Sequence, residues 1–435
     1  MEMNEFVLTV SYADYTKSTG GTDKTILAQQ NVFNSNSVTV FHIFPVRHIW
    51  RVKLSAEYVW GLCVDGVWKA FYDTQGVLCF LQAQIRRGLR FRGVIIHHLM
   101  HISLHELSAL LDCMETSIFM YIHDYMTICS AGGLARDGKK FCGASSPTSE
   151  KCAQCSLFSE SLIKRTSEIS SFFAQYKDRI TFVFPSETAK RVWLSVYGIY
   201  ASQTVVAFHQ TCVGTYMANI SPVMAEEPLK VAFIGYQSPI KGWYYWINAA
   251  KKLHEAGTNY ELFQIGSCND HFDYINEINL DFRLSLTAMT DALREKQIHC
   301  AVLWSVIPET YSFTYYEAFS ANCFVLTSEA SGNIAEQTHN RGNGYCADSP
   351  EELEQLLLNE DMLRNLVNDF RSKGLYGPET LRDSDFLVEL TKSENCEIHN
   401  CCKMKINRKL ICKFLETAER IYSTVKKRMK ARGHR

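Results

Sequence analysis

The sequence predicts an α/β protein made of two doubly wound domains that face each other across a cleft. Apolar, strand-like runs alternate with helical segments through the first half of the 435-residue chain, which is typical of a parallel sheet wrapped by helices. Residues 219–228 contain two prolines and no hydrophobic periodicity, so they interrupt this alternation. A second alternating series starts at Leu229. A chain of this length is expected to form two domains of ordinary size.

The first domain is predicted over residues 1–210. It begins with a strand at residues 6–10, a loop that contains Gly20 and Gly21, and a helix at residues 22–32. Further strand-like runs lie at residues 38–44, 94–98, 117–123, 180–186 and 204–209. A cysteine-containing insertion, at about residues 129–155, lies within this domain.

The second domain is predicted over residues 229–380, after an interdomain linker at residues 211–228. Its helices begin near Trp243 and at Pro350, where a proline suits the first helical position. Its strands are predicted at residues 229–235, 261–266, 300–307 and 323–327. Residues 381–435 are predicted to form a basic helical extension.

Composition narrows the class of protein. The chain is 46% hydrophobic, which argues against disorder, and its net charge of −1 argues against a general nucleic-acid binder. Its sixteen cysteines are scattered, and several lie within apolar patterns, which suits buried thiols in a reducing compartment. The start of the chain does not read as a signal peptide, and no run approaches the about 18 apolar residues of a membrane span. We therefore expect a soluble cytoplasmic protein.

Glu309 and Glu317 mark the candidate binding site. The apolar run at residues 300–307 predicts a buried strand, and a helix is predicted to begin near Phe313. Glu309 would then lie on the loop at the strand's carboxyl end, and Glu317 would lie on the helix. The next strand is followed by residues 331–333, which we expect to form a flexible loop. Open α/β sheets bind their ligands at this edge.

The helix start between the two glutamates suits an anion. Thr310 or Ser312 can cap this helix, and its first N–H groups carry partial positive charge. A nucleoside diphosphate fits such a site, since the N–H groups would hold phosphate, one carboxylate the ribose hydroxyls and the other the group beyond the phosphates.

The ordered set of motifs resembles the retaining glycosyltransferases of the GT-B fold, specifically glycosyltransferase family 4, over roughly residues 5–375. GT-B enzymes have two Rossmann-like domains facing across a cleft, with the acceptor on the first domain and the nucleotide-sugar donor on the second. The motifs that carry the resemblance are the loop with Gly20 and Gly21, residues 121–125, residues 184–186, residues 233–242, and the segment with Glu309 and Glu317.

The resemblance implies a donor site on both sides of the cleft. Gly20 and Gly21 would let the backbone approach the diphosphate or acceptor, since glycine permits positive φ and close approach. Lys241 would neutralise the diphosphate, as a point charge can between a strand end and a helix start. The backbone of Phe313 and Thr314 would meet the phosphates. The alternative for the two glycines is an ordinary loop, and the alternative for Lys241 is a solvated surface lysine.

The resemblance also implies the sugar-binding residues. Glu317 would accept hydrogen bonds from the ribose, and Glu309 would contact the transferred sugar. His123 would reach the sugar near its reactive carbon, with Asp124 close by. Each residue also has a structural alternative. Glu309 could be a helix-capping acid, Glu317 a surface acid, and His123 a buried histidine that is hydrogen-bonded to the backbone. The family often has an arginine where this chain has Gln237, so one expected cation is missing.

Three further histidines, His97, His98 and His101, also follow a predicted strand end. They could line the acceptor side, but a structural role is as well supported, so they are left outside the catalytic set.

The implied chemistry is retaining, metal-independent transfer of a sugar from a nucleotide-diphosphate sugar to an acceptor hydroxyl, with front-face attack. No Asp-x-Asp clamp lies near the phosphate site. The acceptor would be a glycan, a lipid-linked glycan or another hydroxyl compound, in assembly of a bacterial surface polysaccharide or glycoconjugate. A non-catalytic GT-B partner subunit, a sugar-nucleotide epimerase and a phosphorylase remain alternatives.

Two segments carry separate hypotheses. Cys129, Cys142, Cys152 and Cys155 include the Cys-x2-Cys spacing of a structural zinc site, with free thiols in a loop as the alternative. Residues 406–431 have apolar residues at helical spacing among basic ones. They would either pack back across the two domains or contact the anionic inner face of the plasma membrane.

Overall fold

The chain folds into two parallel-sheet domains, as the sequence predicted. The computed structural model describes residues 4–18, 20–46, 48–49, 52–53, 59–131, 133–144, 147–215, 221–280, 285, 287–374, 377–392, 396–399 and 417. The basic segment predicted at residues 406–431 lies outside these residues, apart from Thr417. No helix among those described is both long and apolar enough to cross a membrane.

The first domain is built on an eight-stranded sheet. Its strands are β1 (Glu5–Val10), β2 (Val38–Pro45), β3 (Trp60–Val64), β4 (Val67–Tyr72), β5 (Arg90–Ile96), β6 (Ile118–Tyr121), β7 (Ile180–Phe184) and β8 (Gln203–Val206). Their order in the sheet is β8-β7-β6-β5-β1-β2-β3-β4. The strands from β8 to β2 are parallel, whereas β3 and β4 form an antiparallel edge. The carboxyl ends of the parallel strands therefore meet along one edge.

Helices cover both faces of this sheet. They are α1 (Gly21–Ser35), α2 (Thr74–Arg86), α3 (Leu104–Leu111), α5 (Glu160–Tyr176) and α6 (Glu187–Tyr197), whereas the short α4 (Glu150–Ala153) lies in the cysteine-containing insertion and has no buried residue. Asp73, Ser103, Ser159 and Ser186 each cap the helix that follows, since the side chain of each accepts a backbone N–H of the first turn.

The second domain has a six-stranded, fully parallel sheet. A single strand, β9 (Gln210–Val213), precedes it. The strands of the sheet are β10 (Leu229–Tyr236), β11 (Tyr260–Ser267), β12 (Asn276–Asn279), β13 (Cys300–Val302), β14 (Phe324–Ser328) and β15 (Gly344–Ala347), in the order β12-β11-β10-β13-β14-β15. Its helices are α7 (Trp243–Glu255), α8 (Ala288–Lys296), α9 (Phe313–Ser320), α10 (Asn333–Arg341), α11 (Pro350–Leu358) and α12 (Glu360–Ser372).

Alternate residues of the central strands enter opposite cores, which is why both sheets are doubly wound. In β1, Leu8 packs into one core of the first domain and Val7 into the other. In β10, Phe233 and Ile234 divide in the same way between the two cores of the second domain. A strand that is apolar on both sides must be covered by helices on both faces.

Within the described residues, the chain crosses between the domains twice. β9 pairs antiparallel with a later strand, β16 (Thr380–Asp383), so the predicted linker at residues 211–228 begins as a strand. After β16, α13 (Phe386–Lys392) packs on the first domain, where Arg92 donates to the carbonyl oxygens of Val388 and Thr391. The described start of the predicted extension therefore joins the first domain.

Candidate functional site

The loop between β13 and α9 carries Glu309 and is fixed by the neighbouring loop after β14. The N–H of Glu309 donates to the carbonyl of Ser331 at 3.2 Å, and its own carbonyl accepts from the N–H of Asn333 at 2.9 Å. Gly332 has φ +66°, and a Cβ there would lie 2.5 Å from the Glu309 nitrogen. Residues 331–333, which we expected to form a flexible loop, are instead packed against Glu309. Only glycine can occupy position 332 without moving the loop.

Glu309 and Lys241 form an ion pair at the cleft. Lys241 Nζ lies 2.6 Å from Glu309 Oε1, and Ser305 Oγ donates to the same oxygen at 2.8 Å. The glutamate side chain is 11% exposed and the lysine side chain 46%. Gly242 has φ +78°, and a Cβ there would lie 2.7 Å from the side chain of Trp304. Only glycine at position 242 allows the backbone to lie this close to Trp304, and this backbone position places Lys241 next to Glu309.

The N-terminus of α9 points into the cleft between the two glutamates. Ser312 Oγ accepts the N–H of Tyr315 at 3.2 Å, so Ser312 is the cap. Thr310 has a different role, since its Oγ1 donates to the carbonyl of His123 in the other domain at 2.5 Å. The N–H groups of Phe313 and Thr314 belong to the first helical turn, where an α-helix supplies no internal acceptor. This geometry suits an anion.

Gln237 does not substitute for a cation. Its Oε1 accepts the N–H groups of Asn269 and Asp270 at 2.5 and 2.8 Å, and its Nε2 donates to the Asp270 carbonyl at 3.2 Å. The side chain therefore holds the loop after β11 and carries no charge toward the cleft.

The first helix of the first domain reaches Glu317. Lys24 Nζ lies 3.2 Å from Glu317 Oε1 and 4.5 Å from the centre of the Phe313 ring. The lysine side chain is 25% exposed and the glutamate side chain 6%. Sequence reasoning did not select Lys24. The sequence feature that could have identified Lys24 is its position in the first turn of the helix that begins at Gly20 and Gly21.

The glycine loop approaches the same helix. A Cβ on Gly21 would lie 3.9 Å from Phe313 Cε2, so the two domains meet closely here. Gly20 is the N-cap of α1 with φ −65°, and Gly21 does not have positive φ either. A Cβ on Gly21 would therefore make only an ordinary van der Waals contact with Phe313, and neither steric crowding nor positive φ requires glycine at this position.

His123 lies in a stack of rings that runs from the first domain to α9. We call His97, Tyr121, His123 and His209 the histidine stack. The His123 ring lies 4.7 Å from Tyr121, 5.4 Å from His97 and 5.3 Å from His209, all measured between ring centres. His209 stacks on Phe313 at 5.6 Å with the rings 8° apart. The sequence placed His209 only at the end of a strand, so its contact with Phe313 was missed.

The histidines of this stack are neutral. Burial lowers the pKa of His123 well below its ordinary value, and the neighbouring His209 and His97 act in the same direction. Burial lowers the pKa of His209 to about 3. Among the described residues, His97 Nε2 and His209 Nδ1 are buried without a hydrogen-bond partner. His97 Nδ1 and His123 Nε2 are hydrogen-bonded to each other at 3.1 Å, so these two rings are held together within the stack.

Asp124 is ionised beside the stack. Its Oδ2 lies 3.0 Å from His98 Nε2, and its Oδ1 accepts the N–H of Met126 at 2.9 Å. Burial disfavours its charge, but His98 and this backbone hydrogen bond outweigh burial and lower the pKa of Asp124. The side chain of His98 is therefore hydrogen-bonded to Asp124. The ring of His101 is not part of the histidine stack.

A cavity of about 330 Å³ opens between the domains beside Glu317. Residues of both domains and of the β9–β16 crossing line it, among them Lys24, His209, Asp291, Phe313, Glu317 and Asp383. This volume lies at the lower end of the range for small-molecule sites.

The cysteine-containing insertion reaches the Glu309 loop. Ala135–Arg136 and Lys140–Phe141 form a short hairpin, and the N–H of Phe141 donates to the carbonyl of Val306 at 3.1 Å. Burial raises the pKa of the Cys152 thiol, and the adjacent Cys142 acts in the same direction.

The four cysteines of the predicted zinc site lie near one another, since Cys129, Cys142 and Cys155 all act on the pKa of the Cys152 thiol. Within the described residues, two groups bring three possible metal-binding side chains within 4.8 Å of one another: Glu329 with His339 and Cys346, and Glu115 with Glu397 and His399. The four cysteines at 129, 142, 152 and 155 are in neither group, so the zinc site stays a prediction.

Comparison with known proteins identifies the fold. No protein-family model matches the chain, and no curated protein matches its sequence significantly. A sucrose-phosphate synthase from Thermosynechococcus elongatus superposes with a TM-score of 0.54 at 12% identity, over 86% of this chain and 95% of that one. The pneumococcal O-GlcNAc transferase GtfA, solved with UDP and GlcNAc, superposes with a TM-score of 0.50 at 8% identity, over 85% and 96%. The chain has the GT-B fold of these glycosyltransferases, and the predicted fold class is confirmed.

Proposed function

We propose that this protein is a retaining glycosyltransferase of family 4 that moves a sugar from a nucleotide-diphosphate sugar to an acceptor hydroxyl without a catalytic metal. The observation that best supports this proposal is the position of the N-terminus of α9. This N-terminus opens into the cleft with Glu309 before it, Glu317 on its second turn and Gly21 facing it from the other domain. Two carboxylates on either side of an anion-binding helix start match the parts of a nucleotide sugar.

The diphosphate would bind at this helix start. Negative charge develops on it as the glycosidic bond breaks, and preorganised N–H groups and cations stabilise such charge most effectively. The N–H groups of Phe313 and Thr314 and the ammonium of Lys241 are the donors available. Lys241 is half-exposed, so it can contact a phosphate while its partner Glu309 remains anchored by Ser305.

The nucleoside would occupy the cavity beside Glu317, with the ribose hydroxyls donating to that carboxylate. The cavity is large enough for a nucleoside and is lined by Phe313 and His209 as well as by charged groups. UDP is the first diphosphate to test, because it is bound in the structurally similar pneumococcal transferase.

The sugar would lie between Glu309 and the histidine stack. The bond from the anomeric carbon to the diphosphate oxygen breaks, the acceptor oxygen bonds on the same face, and the acceptor proton passes to the leaving oxygen. Because His123 and His209 are neutral, they would line the sugar site without adding positive charge at the reacting carbon. Asp124 follows His123 in the chain and is half-exposed, so it would contact the sugar or acceptor.

The acceptor is proposed to be a glycan or lipid-linked glycan in surface polysaccharide or glycoconjugate assembly. This would take place in the cytoplasm, with peripheral contact at the inner membrane face through the basic segment at residues 406–431. These assignments rest on the family resemblance.

A non-catalytic GT-B subunit is the second candidate. It is favoured by Gln237, which is neutral and fully used in holding residues 269 and 270. Such a subunit could bind a nucleotide without turning over a nucleotide sugar.

A thermal-shift and calorimetric screen of UDP, GDP, ADP, CDP and dTDP tests the donor site. We expect one diphosphate to raise the melting temperature of the wild type. Glu317→Gln should weaken its binding about 10- to 100-fold, because a hydrogen bond to a charged group contributes about 1.5–3 kcal/mol. Glu351→Gln, at an exposed acid on the first turn of α11, is the matched control and should bind normally.

A transfer assay on the matching nucleotide sugar separates the two candidates. Release of the diphosphate with a simple sugar acceptor, and an NMR spectrum that shows the anomeric configuration of the donor in the product, support the enzyme. Binding without turnover across a panel of acceptors favours the subunit, and failure of every diphosphate to bind contradicts both.

A further inference from the structure

We propose that Lys24 is a donor-site residue of the first domain that provides the cation missing at position 237, so that tight diphosphate binding depends on a cation from each domain. The inference rests on the proposed function. Lys24 would act as a positioning and charge-balancing residue for the leaving group.

The location of Lys24 is the first argument. Its backbone N–H donates to the Gly20 carbonyl at 2.9 Å, so the lysine lies on the first turn of α1 directly after the glycine loop. Its Nζ contacts both Glu317 and the Phe313 ring. These two residues are four apart in α9 and therefore share one helix face. Lys24 thus lies along the face that leads from the ribose carboxylate to the phosphate end of the helix.

The charge of the site is the second argument. Glu317 and Asp383 both line the cavity proposed for the nucleoside, which reaches Phe313 at the start of α9, so the two carboxylates would repel a diphosphate bound at that helix start. Burial raises the pKa of Asp383, and Lys24 partly offsets that effect, which means that Lys24 faces both acids. An ammonium here neutralises Glu317 while leaving the helix N-terminus open to phosphate.

Arg294 is a second cationic residue that lines the cavity, and its guanidinium group is already hydrogen-bonded to the protein backbone. Arg294 donates to the carbonyl of Ser320 at 2.8 Å, near the C-terminus of α9 and away from its phosphate end. Lys241 is paired with Glu309, which precedes the helix start, whereas Lys24 is paired with Glu317 on the helix itself. Lys24 therefore completes a pair of cations flanking the diphosphate, one from each domain.

A latch is the competing explanation of the same contact. If Lys24 only held the empty cleft closed through Glu317, the ribose hydroxyls would have to displace it. Removing the lysine would then strengthen nucleotide binding, whereas our proposal requires removal to weaken it. The two explanations predict opposite signs for one measurement.

The test is calorimetric titration of the full chain with the best-bound diphosphate of the five and with its parent nucleoside. Lys24→Met should weaken diphosphate binding about 10- to 100-fold and change nucleoside binding by less than about threefold. Lys24→Arg should bind the diphosphate within about threefold of wild type, since it keeps the charge. Lys164→Met, at an exposed lysine of α5, is the matched surface control.

Each outcome decides the proposal. Unchanged or tighter diphosphate binding by Lys24→Met overturns it, and so does an equal loss of nucleoside and diphosphate binding, which indicates a merely structural role. Lys24→Gln replaces Lys24→Met if the latter does not fold. If the wild type binds none of the diphosphates, the proposed function fails and this inference with it. If the wild type binds and the variant binds equally well, only the inference fails.

Discussion

The two sides of the cleft differ in how they carry charge. The first domain presents the histidine stack, whose rings are buried, close-packed and neutral. The second domain presents what we call the charged rim, which consists of Lys241, Glu309, Glu317 and the N-terminus of α9. Lys24 is the charged group that the first domain extends to that rim.

The difference corresponds to the two halves of a nucleotide sugar. A diphosphate needs donors and cations that are fixed before it binds, and the charged rim provides them. A sugar carries no charge, and a neutral wall of aromatic rings suits it better. Positive charge on the histidine stack would also disfavour the oxocarbenium-like carbon that the transfer passes through.

Removing charge from the rim should have the largest effect. Glu309→Gln retains the shape of the side chain but loses the ion pair with Lys241. We expect turnover to fall about 1,000-fold, since deleting one preorganised electrostatic contact in an active site commonly reduces turnover by about 100- to 1,000-fold and here the Lys241 pair is lost as well. The measurement is steady-state release of the diphosphate from the matching nucleotide sugar.

Affinity provides the control for this variant. Glu309→Gln should bind the diphosphate about as well as wild type, because Glu309 is assigned to the sugar. A variant that loses diphosphate affinity as strongly as turnover would place Glu309 in the phosphate site, and the division of the rim between sugar and phosphate would be wrong.

The charged rim could be predicted from the sequence because its determinants are local. A buried strand, a capping serine and a helix start lie within residues 300–320, and Ser312 does cap α9 as expected. The structure of residues 331–333 could not be predicted in this way, because Gly332 is constrained by its contact with Glu309.

The first-domain contributions were harder to predict. Lys24 is separated from Glu317 by 293 positions, and no local pattern distinguishes it from a surface lysine. His209 follows an ordinary strand-like run, and only the packing of the β9–β16 crossing brings it onto Phe313. Residue types identify candidates, whereas contacts between domains depend on how the two sheets are set against each other.

Lowering the pH should reduce the stability of the folded protein, because the histidine stack is neutral in the folded state. His209 has a folded-state pKa of about 3, while an unfolded histidine titrates near 6.5. The unfolded state therefore binds more protons at intermediate pH, so stability is full above about pH 6.5 and is lost as pH falls toward 3. Between pH 7 and pH 5, His209 should account for about 2 kcal/mol of this loss.

Urea unfolding of His209→Phe at pH 7 and pH 5 measures that contribution. Phenylalanine can keep the stack on Phe313 but cannot take up a proton, so the variant should lose about 2 kcal/mol less than wild type on acidification. His105→Phe, at a ring that is 89% exposed, controls for the loss of an imidazole. An acid response identical to wild type would mean that His209 is not buried and neutral in the folded protein.

Restoring the missing arginine should have the smallest effect on binding. In Gln237→Arg the N–H groups of Asn269 and Asp270 lose their acceptor, which should cost about 1 kcal/mol of stability. Diphosphate affinity should change by less than about threefold, because Lys24 and Lys241 already flank the site. Gln237→Met also removes the acceptor but adds no charge, so it should show a similar loss of stability and serves as the control for the charge of the arginine. Calorimetry and thermal unfolding of both variants check this. A tenfold or greater gain in affinity for Gln237→Arg would mean that the rim lacks a cation after all, and that the charge of the cleft is not balanced across the two domains.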